Sequence, residues 1–280
     1  GPDLEVGEHL VTSPQTRFIS FTGSVEVGKR IHELGARVLP GQRFLKRVVT
    51  EMGGKDAIVV DETADLDAAA DGVVASAFGY QGQKCSACSR LIVVDDVHDA
   101  LLERVVARTR ALRLGDAADP ATDVAALISE AQYDKVRSYL DLARTEGRIV
   151  AGGQTGDPGG WFVEPTVVDE VLAHGRLARE EVFGPVLAVL RASSWGTALR
   201  IANDSDYGLT GGVYTRRRDR VDEARRSFQV GNLYVNRKIT GSLVGVQPFG
   251  GFNLSGTDVK SGAPDYLRAF LQLKTVTERF

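Results

Sequence analysis

The sequence predicts an α/β protein of stacked layers, with largely parallel sheets flanked by helices. Two observations carry this. Short apolar runs suited to buried strands (residues 57–60, 91–94 and 186–190) alternate with stretches of helical length (67–78, 100–112 and 133–144). The chain of 280 residues, 43% of them hydrophobic, is long enough for one large domain or two ordinary ones with ample core.

Taken in order, residues 17–21 read as a buried strand, and Thr22, Gly23 and Ser24 as a turn into a helix reaching about Leu39, with Ser24 as its N-cap. Strands over 47–50 and 57–60 precede the helix 67–78. A strand at 91–94, helices at 100–112 and 133–144, and strands at 149–151, 166–171 and 186–190 follow. A helix at 197–203, a strand at 212–214, a helix at 219–228 and a strand at 233–236 complete the alternation. Residues 152–160 and 249–256 are too rich in glycine for regular structure. The tail 271–278 alternates apolar and polar side chains. It is expected to be a half-exposed strand that pairs with an edge, in this chain or in another subunit. A doubly wound nucleotide fold needs more strands than precede Arg17, so only its last part is expected here, in a sequence cut at its beginning.

Bulk chemistry narrows the function classes. A net charge of −3 argues against general nucleic-acid binding. No apolar run approaches the ~20 residues of a membrane span. The stretch from Gly1 to Gly7 resembles neither a signal nor a transit peptide. Two cysteines make no disulfide framework, which suits a reducing, cytoplasmic compartment.

Both cysteines fall within residues 79–90, between an apolar helix and a strand. Three readings of Cys85 and Cys88 compete: small core residues, a redox pair or half a zinc site, and a single catalytic nucleophile. The four histidines have no ligand spacing, which disfavours a metal. Lys84, and the amides of any helix starting here, would favour a thiolate. Residues 23–30 nearly match the phosphate cradle G-x-x-x-x-G-K-[ST], but Arg30 replaces the final hydroxyl and Glu26 would repel phosphate. The amides of a helix N-terminus remain available to a phosphate without magnesium; a plain strand-to-helix turn fits the spacing as well. Glu51, at a strand end before Gly53 and Gly54, reads as a solvated charge or a general base.

In this order, Phe21-Thr22-Gly23-Ser24, Glu51-Met52-Gly53-Gly54-Lys55, Gly82-Gln83-Lys84-Cys85, Glu181-Val182-Phe183-Gly184-Pro185 and Pro248-Phe249-Gly250-Gly251 resemble the aldehyde dehydrogenase superfamily. The stretches 83–90, 236–242 and 262–267 resemble most closely its branch that oxidises L-glutamate γ-semialdehyde in proline catabolism. The resemblance implies the end of a Rossmann-type NAD domain (1–53), an α/β catalytic domain (54–251), and a return segment with an oligomerisation strand (252–280). It implies Cys85 as nucleophile, with Cys88 a packed bystander, and Glu51 as the base that activates the hydrolytic water. Gly23 and Ser24 would lie by the NAD pyrophosphate, Glu181 on the nicotinamide ribose, and Phe183 beside it. Gly241 and Ser242 would hold the amino-acid end of the substrate, with Ser86 and Phe249 lining the pocket. The partners implied are a small-molecule semialdehyde and further copies of the chain, with neither nucleic acid, membrane nor metal. Family members run to about twice this length. The adenosine site and an oxyanion-hole asparagine are therefore expected outside this sequence, leaving the chain alone without a competent NAD cleft. The alternatives are an aldehyde dehydrogenase for another semialdehyde and a catalytically silent assembly module.

Overall fold

The computed structural model describes residues 3–156 and 159–280, so Gly1, Pro2 and two residues of the glycine-rich loop at 152–160 lie outside the described residues. Two compact units are present: Gly53–Gly241, and Gly1–Met52 with Ser242–Phe280.

The larger unit is built on a seven-stranded sheet. Its strands run in the order Asn232–Val235, Thr210–Tyr214, Asp56–Val60, Cys88–Val94, Val186–Ala192, Thr166–Asp169 and Arg148–Ala151. Neighbours pair in parallel except at the last edge, where Arg148–Ala151 is antiparallel to Thr166–Asp169. A parallel sheet covered on both faces needs strands that are apolar at every position, and Asp56–Val60 is buried throughout. The alternation of the pleat then divides the core. Ile58, Val60, Leu91 and Val93 pack with Ala69 and Val73 of helix Leu66–Phe78 and with Leu101 and Val105 of helix Asp95–Ala111. Ala57, Val59 and Ile92 face the other way, onto Val136 and Leu140 of helix Glu130–Glu146 and Ala198 and Leu199 of helix Trp195–Asn203.

In the smaller unit, strands Phe18–Thr22 and Arg47–Glu51 pair in parallel, with Thr22 opposite Glu51. Helix Val25–Gly35 packs Ile31 and Leu34 against Ile19, Phe21 and Val48. Helix Asp3–Thr12 adds Val11 to the same cluster.

Several elements differ from the sequence expectation for identifiable reasons. Helix Asp3–Thr12 is short, carries Gly7, and buries little beyond Val11, so its periodicity is faint. Helix Asp95–Ala111 starts five residues early because Asp95 and Asp96 suit a helix N-terminus. Helix Val25–Gly35 stops short of Leu39, where the Ala36 amide closes on the carbonyls of His32 and Leu34. Strand Cys88–Val94 begins before Leu91, with polar Ser89 and Arg90 inside it. Residues 271–280 join no ladder among the described residues of this chain. Leu273 and Val276 are 93% and 76% exposed. Among the described residues, no helix is long and apolar enough to cross a membrane.

Leu91 is wholly buried at the centre of the sheet. Leu91→Ala is expected to destabilise the larger unit by about 3 kcal/mol, read as a lowered midpoint in urea unfolding.

Candidate active site

In the larger unit, helix Leu66–Phe78 runs into a turn, Gly79–Gly82, with three consecutive left-handed residues: Tyr80 (φ 59°), Gln81 (φ 56°) and Gly82 (φ 64°). Two of these carry side chains, and such backbone persists only where its surroundings impose it. A Cβ on Gly82 would stand 2.4 Å from the Gly184 carbonyl oxygen and 2.9 Å from that of Ala77. The Gln83 amide donates to Tyr80 O (3.0 Å), and Gln83 Oε1 accepts from the Ile128 amide (3.1 Å). No helix starts at Cys85. A turn closed by the Ala87 amide on Lys84 O (3.0 Å) leads straight into the strand, and Lys84 Nζ lies 5.8 Å from the Tyr80 ring.

The two thiols have different surroundings. Cys85 is half-buried on the turn. Cys88 is 1% exposed inside the strand, donates to Arg90 O (3.4 Å), and is pushed up to about 12 by burial, with the Asp56 carboxyl adding to the shift. Among the described residues there is no cluster of three or more His, Cys, Asp or Glu suited to a metal ion.

Beneath Cys85 lies the Gly53-Gly54-Lys55-Asp56 segment. A Cβ on Gly54 would stand 2.5 Å from the Cys85 carbonyl oxygen and 2.7 Å from Asp56 Oδ2. Asp56 Oδ1 accepts from the Thr210 amide (2.8 Å), and Thr210 Oγ1 donates to Ser86 O (3.4 Å). Burial holds the Asp56 carboxyl well above the usual carboxylate range. Arg90 is buried and clamps three carbonyls, donating to Lys55 O (2.9 Å), Ile201 O (3.0 Å) and Ala202 O (2.9 Å). Lys55, 2% exposed, is lowered to about 7, chiefly by burial and further by Arg90.

Glu181 sits on the same segment. Its Oε1 accepts from the Gly54 amide (3.1 Å), and a Cβ on Gly53 would lie 2.3 Å from its carboxylate. Burial raises its pKa, against the pull of the Gly54 amide, Lys135 and Lys55. Phe183 is left-handed (φ 57°); its carbonyl and that of Val182 accept from Gln132 Nε2 at 2.7 and 3.0 Å. Cys85, Ser86 and Glu181 are thus gathered around one glycine pair, whereas Gly241 (φ 82°) is exposed in a loop. Sequence reasoning missed Asp56, Arg90, Thr210 and Gln132 as supports. The available signal was charge set flush against an apolar strand, at Lys55-Asp56 before Ala57 and at Arg90 before Leu91.

The smaller unit holds Glu51 at the end of its strand. The Gly23 amide donates to Glu51 O (3.1 Å), and the Met52 amide donates to Ser255 O (2.8 Å). Ser24 caps the following helix, accepting from the Val27 amide at 3.3 Å. Neither carboxylate oxygen of Glu51 has a hydrogen-bond partner, and a Cβ on Gly250 would stand 3.0 Å from Oε1. Burial raises Glu51 to about 7 while Lys260 pulls it down. Phe249 is fixed by two backbone hydrogen bonds with Ser261 (2.9 and 2.7 Å), and Ser242 is half-buried in the 242–247 loop. Amides at a capped helix N-terminus suit an anionic group, and the Glu181 carboxylate suits sugar hydroxyls. Each unit by itself thus offers one group, amide donors in the smaller and a carboxylate acceptor in the larger, whose chemistry suits one part of a dinucleotide.

The described family "Aldehyde dehydrogenase family" matches residues 1–276. A 1-pyrroline-5-carboxylate dehydrogenase from Geobacillus sp. (strain WCH70) is 54% identical over 280 residues, which is 100% of this chain and 54% of that protein. A solved 1-pyrroline-5-carboxylate dehydrogenase from Thermus with bound NAD superposes with a TM-score of 0.98 at 55% identity, covering 100% of this chain and 54% of that one. Proline utilization A from Bdellovibrio bacteriovorus superposes with a TM-score of 0.95 at 43% identity, over 97% of this chain and 28% of its own. The chain spans about half the length of the curated relatives it matches (54%). With the family match running almost end to end and the motif residues set around the glycine pair and the capped helix, this chain belongs to the aldehyde dehydrogenase family.

Proposed function

We propose that the protein is an NAD-dependent dehydrogenase that oxidises L-glutamate γ-semialdehyde to L-glutamate, and that these 280 residues carry its nucleophile, its water-activating base and its hold on the substrate. The observation that carries the reading is the Cys85 turn. A reachable thiol is held on left-handed backbone, seated on Gly54, three residues from a second thiol that burial silences. The substrate assignment is supported by relatives of that activity at 54–55% identity across the whole chain.

Cys85 sulfur attacks the aldehyde carbon, forming a C–S bond as the carbonyl electrons move onto oxygen. The Cys85 amide donates to that oxygen. NAD bound to this protein would supply the hydride acceptor for that carbon; Gly23 and Ser24 would hold its pyrophosphate and Glu181 its nicotinamide ribose, with Phe183 alongside. The carbon stays on Cys85 as a thioester. Glu51 then takes a proton from water, whose oxygen attacks the thioester carbon, and the Cys85 thiolate departs from the carboxylic acid. A carboxylate raised to about 7 suits this step, since a general base works best near the operating pH. The amides of Gly241 and Ser242 hold the carboxylate and ammonium end of the substrate, and Ser86 and Phe249 line its path. The protein works in the cytoplasm as a homo-oligomer. The exposed alternating tail at 271–278 supplies a strand to another copy.

p-Nitrophenyl acetate acylates a reactive thiol without any cofactor and so separates the two halves of this chemistry. Cys85→Ala is expected to give no burst of nitrophenolate. Glu51→Gln should give about one equivalent and then turn over at least ~10²-fold more slowly than the parent chain, whose steady rate rises with pH through about 7. Steady turnover by Glu51→Gln at the parent rate would remove Glu51 from its role. In the enzyme with its cofactor, Ser242→Pro deletes one amide. It should lower kcat/KM at least ~10²-fold for glutamate γ-semialdehyde and far less for hexanal; equal losses would contradict the substrate assignment.

A further inference from the structure

Glu51 is a carboxylate without hydrogen-bond support. Both oxygens are buried and neither has a donor, so burial works against the anionic form that a base needs. The element packed over it is the 249–261 segment. Gly250 stands between two side chains: a Cβ there would come 3.0 Å from Glu51 Oε1 and 3.4 Å from Lys260 Cδ. Lys260 folds across this glycine, donates from Nζ to Gly250 O, and lies 5.3 Å from the Phe252 ring. The carboxylate and the stem that carries the ammonium therefore share the face of Gly250 that a side chain would occupy, and the ammonium is anchored on the Gly250 carbonyl. Asp258 is the other charge that acts on Lys260, and His32, on the neighbouring helix, engages Thr50 Oγ1 at 3.2 Å.

We infer that Lys260 is a positioning residue for Glu51: its ammonium, anchored on the Gly250 carbonyl beside the carboxylate, favours the anionic form that takes the proton from water. The inference rests on the reading of Glu51 as the base. It fits the glycine at 250: a Cβ there would press on the Val259 carbonyl (2.9 Å), the Glu51 carboxylate and the Lys260 stem together. It also accounts for the balance at Glu51, where desolvation lifts the pKa and Lys260 returns it to about 7.

The test is a 13C NMR titration of the chain labelled at glutamate side-chain carboxyls, with Glu51→Gln identifying the Glu51 resonance. Lys260→Gln keeps a donor for Gly250 O and removes the charge. Lys260→Arg keeps the charge. The Glu51 midpoint should rise by about one pH unit in Lys260→Gln and stay within ~0.3 of the parent in Lys260→Arg. An unmoved or lowered midpoint in Lys260→Gln, or an equal rise in both variants, overturns the inference. Its failure is distinct from failure of the base itself. Loss of the base role would appear as undiminished thioester turnover in Glu51→Gln, whatever the titration reports.

Discussion

The larger unit depends on a steric constraint at Gly54. The space a side chain would take there is already filled by the Cys85 carbonyl oxygen on one side and the Asp56 carboxyl on the other. Gly53 is constrained in the same way by the Glu181 carboxylate. Two missing methyl groups thus let the Cys85 turn and an acidic segment close on one stretch of backbone. Arg90 keeps that stretch still by holding the Lys55 carbonyl and tying it to the end of helix Trp195–Asn203. Thr210 completes the support, joining the Asp56 carboxyl to the Ser86 carbonyl.

The layer under Cys85 buries charge-bearing groups, which costs several kcal/mol per unpaired ion unless the group neutralises or finds donors and acceptors. Each group here takes one of these routes. Asp56 is pushed well above the usual carboxylate range by burial and accepts from the Thr210 amide, Lys55 falls to about 7, and Arg90 gives its donors to three carbonyls. Burial also separates the two thiols. Cys88, raised to about 12, is a small core residue that packs with Ile58 and Leu91, and the reachable sulfur is Cys85.

Much of this was legible in the sequence, because the signals were local. The apolar runs at 57–60 and 186–190 lie in strands buried on both faces, and Ser24 caps its helix as its position implied. The motif order carried the family. What stayed hidden was non-local. Asp56, Thr210 and Gln132 act on residues far away in the chain, and a single sequence gives no reason to connect Thr210 with Ser86 or Gln132 with Phe183. The left-handed pair Tyr80-Gln81 has no compositional mark, since glycine follows only at 82. The start of strand Cys88–Val94 was obscured by Arg90, whose charge reads as a surface residue until its three carbonyl partners are known.

The central claim is that this scaffold presents one thiol for covalent chemistry and withdraws the other. Peptide mapping by mass spectrometry, after brief exposure of the folded chain to iodoacetamide at pH 7, addresses it directly. The account predicts alkylation of Cys85 more than about tenfold faster than of Cys88, which should label only on unfolding. Equal labelling of the two cysteines, or faster labelling of Cys88, would contradict it.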